Sequence, residues 1–187
     1  MKWLTYIDNY LFELINSNGD SDFDLIMILM SNKYIFIPLY IYILFVLFKQ
    51  YKKKIIWILL ALVILVFLAD FGSVHFFKNI FERIRPCNVN PALDGIRLID
   101  GYNCGTGFSF ISAHAANMFS IAFFIGLIKR DLKLFIFLFS LATIVGYSRI
   151  YLGVHYPFDI VGGMLWAIIV SLLTYKFLSL KIDETIQ

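Results

Sequence analysis

The chain has 187 residues, of which 60% are hydrophobic, and its mean hydropathy is +0.80. Soluble domains average about 45–50% apolar residues, so this composition excludes an ordinary soluble protein and indicates one integral-membrane domain over residues 1–187. The formal net charge is +3, and the basic residues are not interleaved with an aromatic surface, which excludes a nucleic-acid partner.

The N-terminal segment has the pattern of an amphipathic helix. Apolar residues recur at helical spacing over residues 3–16, with Asp8 and Glu13 between them, which predicts a helix lying on the membrane surface. These acidic residues are unlike the basic start of a cleaved signal peptide, so we expect none. The polar run NSNGDSD then ends the helix, and we assign residues 1–22 to an interfacial helix and linker.

The remainder of the chain, residues 23–178, is predicted to form a transmembrane bundle. A span needs about 20 apolar residues to cross a bilayer core of about 30 Å. The fold class is therefore all-α, an integral-membrane helical bundle with about five transmembrane helices. Asp70 inside the second span is expected to hydrogen-bond within the bundle, near Lys78. The five segments are 23–48, 55–77, 114–128, 134–150 and 157–178.

The basic residues predict the orientation of the bundle. Seven of them lie in the short segments 49–54 and 129–133, which the positive-inside rule places in the cytoplasm. The long loop 78–111 then faces outward, and we expect a bacterial cytoplasmic membrane with the site on its extracytoplasmic side. Cys87 and Cys104 lie in this loop, where either a disulfide or two free thiols are compatible with the sequence.

The unusual polar residues of the chain converge on this outer face. Three cations beside two histidines predict an anion site, because arginine matches phosphate oxygens and lysine adds a point charge. One histidine can attack phosphorus while the other protonates the leaving alkoxide. Asp159, four residues after His155, can bind one ring nitrogen and leave the other free. The set comprises Lys78, Arg85, Ser112, His114, Arg149, His155 and Asp159.

Each of these residues also has a simpler interpretation. Ser112 fits a helix N-cap, a membrane histidine fits a hydrogen bond within the bundle, and Lys78 fits a side chain that reaches the interface. Arg83 and Arg97 are expected to be surface charges. Independent structural causes, however, would not place all seven residues on one side.

Three motifs make the chain resemble the type 2 phosphatidic acid phosphatase (PAP2) superfamily. The first motif, Lys, six residues, then Arg-Pro, is present as KNIFERIRP at residues 78–86. The third, Ser-Arg, five residues, His, three residues, Asp, is present as SRIYLGVHYPFD at residues 148–159. The second, Pro-Ser-Gly-His, reads ISAH at residues 111–114, with Ile111 and Ala113 replacing proline and glycine.

The resemblance implies a role for each residue. His155 would be the nucleophile that forms a phosphohistidine, Asp159 would orient it, and His114 would be the general acid that later activates water. No metal ion or other cofactor is implied. The substrate would be a membrane lipid phosphate: phosphatidic acid, phosphatidylglycerol phosphate, a polyprenyl diphosphate or a lipid A phosphate. The phosphate would be held by Lys78, Arg85, Ser112, the backbone of Ala113, and Arg149.

Two other functions compete with this interpretation. The superfamily includes vanadium haloperoxidases, but these are soluble, and the apolar spans argue against such an activity. A non-enzymatic lipid-binding or transport protein with a relic site would agree with the imperfect second motif. The intact pair of His155 and Asp159 argues against it, as does His114.

Overall fold

The protein is helical throughout the residues that the computed structural model describes, which are 2–89, 95–100 and 102–184, and these ranges contain no strand. The all-α prediction is confirmed. A π-helical turn, Ser73–Lys78, joins α4 to α5, and short 3-10 turns cover Lys33–Phe36, Lys52–Lys54 and Pro86–Asn88. The helices are α1 Lys2–Asn16, α2 Ser21–Ser31, α3 Ile37–Tyr51, α4 Ile55–Gly72, α5 Asn79–Phe81, α6 Ala113–Lys129, α7 Leu132–Tyr151 and α8 Pro157–Glu184.

Three helical stretches within the described residues are long and apolar enough to cross a membrane, and α6 is a shorter apolar helix. The stretch Lys33–Phe81 contains both α3 and α4, between which the backbone of Lys52 adopts a φ of 46°. Large apolar side chains such as Phe45 and Leu165 are exposed on these helices, as a lipid environment allows. The protein is an integral-membrane helical bundle, while the number of five spans stays a prediction.

The predicted first span, residues 23–48, is wrong as a single helix. Asn32 ends α2, since its backbone N–H donates to the carbonyl of Leu29 and its side-chain oxygen accepts from the N–H of Tyr34, both at 3.0 Å. Such local side-chain bonds compete with a continuing helix. As a result α2 packs on α7 and ends near the site, and α3 begins afresh with Pro38 in its first turn.

Helix α1 buries two of its polar residues, Asp8 and Asn16, on its inner face. Asp8 is 1% exposed, and Phe12 and Asn16 are fully buried, so the positions i, i+4 and i+8 face the protein. Trp3 and Tyr10 point outward and are largely exposed. An aromatic outer surface suits the boundary between lipid and water. The predicted amphipathic helix is therefore present, and its position at the membrane surface stays a prediction.

The bundle is built around α6, which packs against α8, α7 and α4. Small residues occupy the contacts: Ala115, Ala116 and Ala122 of α6, Ala142 of α7 and Ala167 of α8 are fully buried. Small side chains let membrane helices approach closely, so that dispersion contacts between them add up. The close packing of α6 and α8 aligns their N-terminal ends.

Gly163 permits a close approach between α6 and α8. A Cβ atom added there would lie 2.8 Å from the carbonyl oxygen of Ser112 and 3.0 Å from the Cβ of Ala115. Because α8 comes this near, the N–H of Ser112 donates to the carbonyl of Asp159 at 3.0 Å. One glycine thus brings the second and third sequence motifs into direct contact.

We expect Gly163→Ala to destabilise the fold by about 1–3 kcal/mol, because backbone atoms of Ser112 cannot yield as a flexible side chain would. Thermal unfolding in detergent measures the effect. Val161→Ala is the matched control, since Val161 is on the same helix with an exposed side chain, and we expect it to change stability by less than about 0.5 kcal/mol. Equal unfolding temperatures for the two variants would contradict the close-contact explanation.

Candidate active site

The side chains of His155 and Asp159 form a buried pair at the start of α8. The Nδ1 atom of His155 lies 3.3 Å from Oδ2 of Asp159, and the N–H of Tyr156 donates to the same oxygen at 2.9 Å. His155 is 2% exposed and Asp159 is fully buried. A carboxylate accepts the Nδ1 proton, so the neutral ring has its lone pair on Nε2. The pair therefore presents an oriented nucleophilic nitrogen.

The backbone of His155 is fixed by the end of α7. The carbonyl of Arg149 accepts hydrogen bonds from the N–H groups of Val154 and His155, at 3.0 and 3.2 Å. Gly153 makes the intervening turn with a φ of +72°, a conformation that glycine adopts without steric cost. The spacing of the third motif thus sets the imidazole directly beside the helix end that carries Arg149.

The guanidinium of Arg149 is buried beside the imidazole. Its Nη1 donates to the hydroxyl of Tyr102 at 2.8 Å and to the hydroxyl of Ser31. Its Nε is buried and has no hydrogen-bond partner within residues 2–89, 95–100 and 102–184. A buried donor without an acceptor is costly, so this atom is poised for an anionic ligand.

Arg85 and a disulfide hold the loop that precedes α6. The guanidinium donates to three carbonyls, those of Cys104 at 2.6 Å and of Thr106 and Gly107 at 3.2 Å each. Cys87 and Cys104 form a disulfide, with 6.1 Å between their Cα atoms. Of the two possibilities that the sequence allowed, a disulfide or two free thiols, the structure has the disulfide. Three of the five N–H donors of Arg85 are thereby engaged, and the rest remain for an anion. Burial and the charge of Arg149 lower the pKa of Arg85.

The second motif forms the N-terminus of α6. Ser112 is the N-cap of α6, and its hydroxyl oxygen accepts a hydrogen bond from the N–H of Ala115 at 3.4 Å. The interpretation of Ser112 as a helix N-cap is therefore correct. Its hydroxyl hydrogen can still donate elsewhere. Ala113 is the first helical residue, and a right-handed helical backbone suits alanine as well as the family's glycine. Ile111 is buried, close to Gly162 of α8.

His114 lines a cavity of about 200 Å³ together with Ala113, Lys33 and Asn117. It lies close enough to Arg149, His155 and Lys78 for their charges to act on its ring.

Lys78 is half-buried at the end of the π-helical turn, within electrostatic range of Arg85, Arg149 and Asp159. The structure thus brings all the predicted site residues to one end of the bundle.

A second, larger cavity adjoins the first. It is an open groove of about 920 Å³ whose walls are mainly apolar residues of α4, including Leu59, Val63 and Phe67. Three polar residues line both cavities and so lie at the boundary between the groove and the smaller cavity beside His114. They are Lys33, Asp70 and Asn117. Asp70 lies within α4 and close enough to Lys78 for its charge to act on that residue, as predicted, but its side chain is exposed to these cavities and not buried in the bundle.

The prediction that Arg83 is a surface charge is wrong. Its Nη1 lies 3.0 Å from Oδ1 of Asp159 and 2.6 Å from Oδ2 of Asp8, and its guanidinium covers the ring of Tyr156 at 3.7 Å. Arg97, in contrast, makes a partly exposed ion pair with Asp24 at 2.7 Å. No sequence signal relates Asp8 to Asp159, since the two are 151 positions apart.

The environment of His155 favours the neutral imidazole. Burial lowers its pKa to about 4, an effect that the hydrogen bond and charge of Asp159 oppose and the charges of Arg149 and Arg85 reinforce. A histidine with a free pKa of about 6.5 would be partly protonated at neutral pH, whereas this one is not. Its Nε2 lone pair is therefore available at neutral pH.

Comparison with known proteins identifies the family. The PAP2 superfamily model matches residues 54–183, and the chain belongs to this family. Lipid A 4'-phosphatase of Bacteroides thetaiotaomicron is 34% identical over 87% of this chain and 73% of its own length. Lipid A 4'-phosphatase of Porphyromonas gingivalis is 33% identical over 94% of this chain and 75% of its own length. Undecaprenyl-diphosphatase of Sulfolobus acidocaldarius is 30% identical over 94% of this chain and 78% of its own length.

The crystal structure of LpxE from Aquifex aeolicus superimposes with a TM-score of 0.65, at 28% identity, over 89% of this chain and 93% of the other. The family predicted from the three motifs is confirmed. The expectation of a membrane lipid phosphate phosphatase agrees with the names of these relatives.

The pKa of His155 predicts the acid limb of the pH–rate profile. Because a nucleophilic imidazole must be unprotonated, kcat/KM for phosphate release should be maintained above this pKa and fall as the pH drops through about 4. Asp159→Asn removes a charge that raises this pKa, so the limb should move to lower pH in that variant. An acid limb near pH 6.5, the value of a solvent-exposed histidine, would contradict the buried environment.

Proposed function

We propose that the protein hydrolyses the phosphate group of a membrane lipid through a covalent intermediate on His155. The observation that carries the proposal is the buried pair of His155 and Asp159 beside Arg149, with His114 across the same cation cluster. An oriented neutral imidazole among cations suits attack on an anionic phosphorus centre, where the main catalytic need is charge stabilisation and positioning.

The reaction takes place in two steps. Nε2 of His155 forms a bond to phosphorus as the bond to the lipid oxygen breaks, and His114 donates a proton to that oxygen. The ring of His155 becomes more positive, and Asp159 stabilises it through the Nδ1 proton. In the second step His114 removes a proton from water, which attacks phosphorus. Inorganic phosphate leaves, and both histidines return to their starting states.

Lys78, Arg85 and Arg149 are proposed to bind the phosphate oxygens. The buried Nε of Arg149 supports this assignment, because it has no partner in the described part of the chain and phosphate is a matching acceptor. The backbone N–H groups at the start of α6, including that of Ala113, face the same region and carry the positive end of the helix dipole. The cations and the helix N–H groups can together balance the charge of the phosphate, and we propose that no metal ion is needed.

The groove beside the site supports a lipid substrate. Its volume of about 920 Å³ and its apolar walls suit a hydrocarbon chain, and it shares Lys33, Asp70 and Asn117 with the cavity beside His114. The head group can therefore reach the cations while the chain stays in the groove.

Among lipid phosphates, a lipid A phosphate is the leading candidate, because the two relatives that are 33–34% identical are named for that substrate. A polyprenyl diphosphate is the second candidate, on the strength of the undecaprenyl-diphosphatase relative.

The proposed location is a bacterial cytoplasmic membrane, with the site on its extracytoplasmic side. The disulfide between Cys87 and Cys104 supports this orientation, because disulfides persist in oxidising compartments. The basic segments 49–54 and 129–133 lie at the ends of the helices that are distant from the site, where the positive-inside rule places the cytoplasm.

The proposal is tested by phosphate release in detergent with a metal chelator present. The panel contains lipid A phosphate, polyprenyl diphosphate, phosphatidylglycerol phosphate and phosphatidic acid. We expect release without added metal, fastest with lipid A phosphate. In His155→Asn we expect kcat to fall by about 10³-fold or more, since the nucleophile is lost. Asparagine retains an N–H group that can donate to Asp159, and thermal unfolding checks that the variant folds.

Release by His155→Asn at the wild-type rate would overturn the assignment of the nucleophile. Release that depends strictly on added metal would overturn the charge-stabilisation argument. Halide oxidation with vanadate and peroxide, in place of phosphate release, would identify the haloperoxidase alternative.

A further inference from the structure

Helix α1 carries a buried carboxylate that reaches the catalytic end of the bundle. Asp8 is 1% exposed although it belongs to a helix whose outer face is aromatic. Its Oδ1 accepts a hydrogen bond from the N–H of Phe158 at 2.8 Å, and its Oδ2 lies 2.6 Å from Nη1 of Arg83. Phe158 directly precedes Asp159, so Asp8 caps the same helical turn that carries the catalytic carboxylate.

Arg83 connects the two carboxylates. The same Nη1 atom that contacts Asp8 donates to Oδ1 of Asp159 at 3.0 Å. The guanidinium lies over the ring of Tyr156, with 3.7 Å between Cζ and the ring centroid, which limits its movement. Asp159 uses its other oxygen for His155. The result is a continuous chain of contacts from Asp8 through Arg83 and Asp159 to the imidazole.

We propose that Asp8 and Arg83 are positioning residues for His155, and that the interfacial helix α1 is thereby part of the catalytic unit. The proposal rests on the proposed function of His155 and Asp159. It adds two residues that the three motifs do not specify: Arg83 at a variable position of the first motif, and Asp8 on a segment that the motifs do not include.

The charges explain why both residues are needed. Arg83 alone would hold Oδ1 of Asp159 but would also neutralise the carboxylate that must stabilise a positive imidazole in the first step. Asp8 offsets this, because an arginine shared between two carboxylates withdraws less negative charge from each. Burial raises the pKa of Asp8, and the N–H of Phe158 and the ion pair with Arg83 oppose that rise. Arg83 thereby holds the orientation of Asp159 while Asp8 shares the charge of the guanidinium.

A purely structural role for Asp8 would have a different signature. If the ion pair only fastened α1 to the bundle, its loss would lower stability and would add to the effect of any catalytic substitution. If Asp8 acts through Asp159, its loss should slow the chemical step and should have no further effect once Asp159 can no longer stabilise the imidazolium. A double-mutant cycle separates these two cases.

The experiment measures kcat and KM for phosphate release by the full chain in detergent, for wild type, Asp8→Asn, Asp159→Asn and the double variant. We expect Asp8→Asn to lower kcat about tenfold and to change KM less than about twofold. In the Asp159→Asn background the same substitution should change kcat less than about twofold. If Asp8→Asn does not fold, Arg83→Gln takes its place in the cycle, because glutamine removes the cation that both carboxylates contact.

Asp24→Asn is the matched control. Asp24 lies on α2 and pairs with Arg97 at 2.7 Å, a geometry close to that of Asp8 and Arg83, but this ion pair does not contact His155 or Asp159. We expect it to leave kcat within about twofold of wild type.

A kcat within about twofold of wild type for Asp8→Asn, or an equal loss in both backgrounds, would overturn the inference. A wild-type kcat for Asp159→Asn would instead overturn the proposed function, so the two failures are distinguishable.

Discussion

Asp159 is fully buried, and each of its three oxygen atoms accepts a hydrogen bond from a different part of the chain. Its backbone carbonyl accepts from Ser112 at the start of α6, Oδ1 accepts from Arg83, and Oδ2 accepts from Tyr156 and contacts His155. An ionised carboxylate in an apolar bundle is stable only with such complete pairing. The helices, the loop and the imidazole are consequently positioned around this one side chain.

The buried cations of the site, in contrast to Asp159, need an anion as their partner. Arg85 and Arg149 are buried close to each other, and Lys78 lies within range of both, so their mutual repulsion is unfavourable in the absence of an anion. Carbonyl groups of the disulfide-closed loop and the hydroxyls of Ser31 and Tyr102 offset part of this cost. A phosphate group would offset the rest, and more strongly as negative charge develops on its oxygens. The fold thus holds the cations in place before the phosphate binds, which is the electrostatic preorganisation that phosphoryl transfer requires.

The motifs predicted which residues meet at one end of the bundle, because their spacings are local. The separation of four positions from His155 to Asp159 is about one helical turn, and Ser112 before an apolar run gives an N-cap, whatever the rest of the chain does. Asp8 and Arg83 were missed because their contact depends on how α1 docks, which no periodicity encodes. The break at Asn32 was missed for a related reason: side-chain capping by a single residue outweighed a continuous apolar pattern.

Rapid quenching of the protein with a ³²P-labelled lipid phosphate tests whether His155 forms a covalent bond to phosphorus. We expect label on the peptide that contains His155, stable in alkali and lost in acid, as for phosphohistidine, and no label on His155→Asn. Steady phosphate release without any trapped label, or label that persists in His155→Asn, would contradict it.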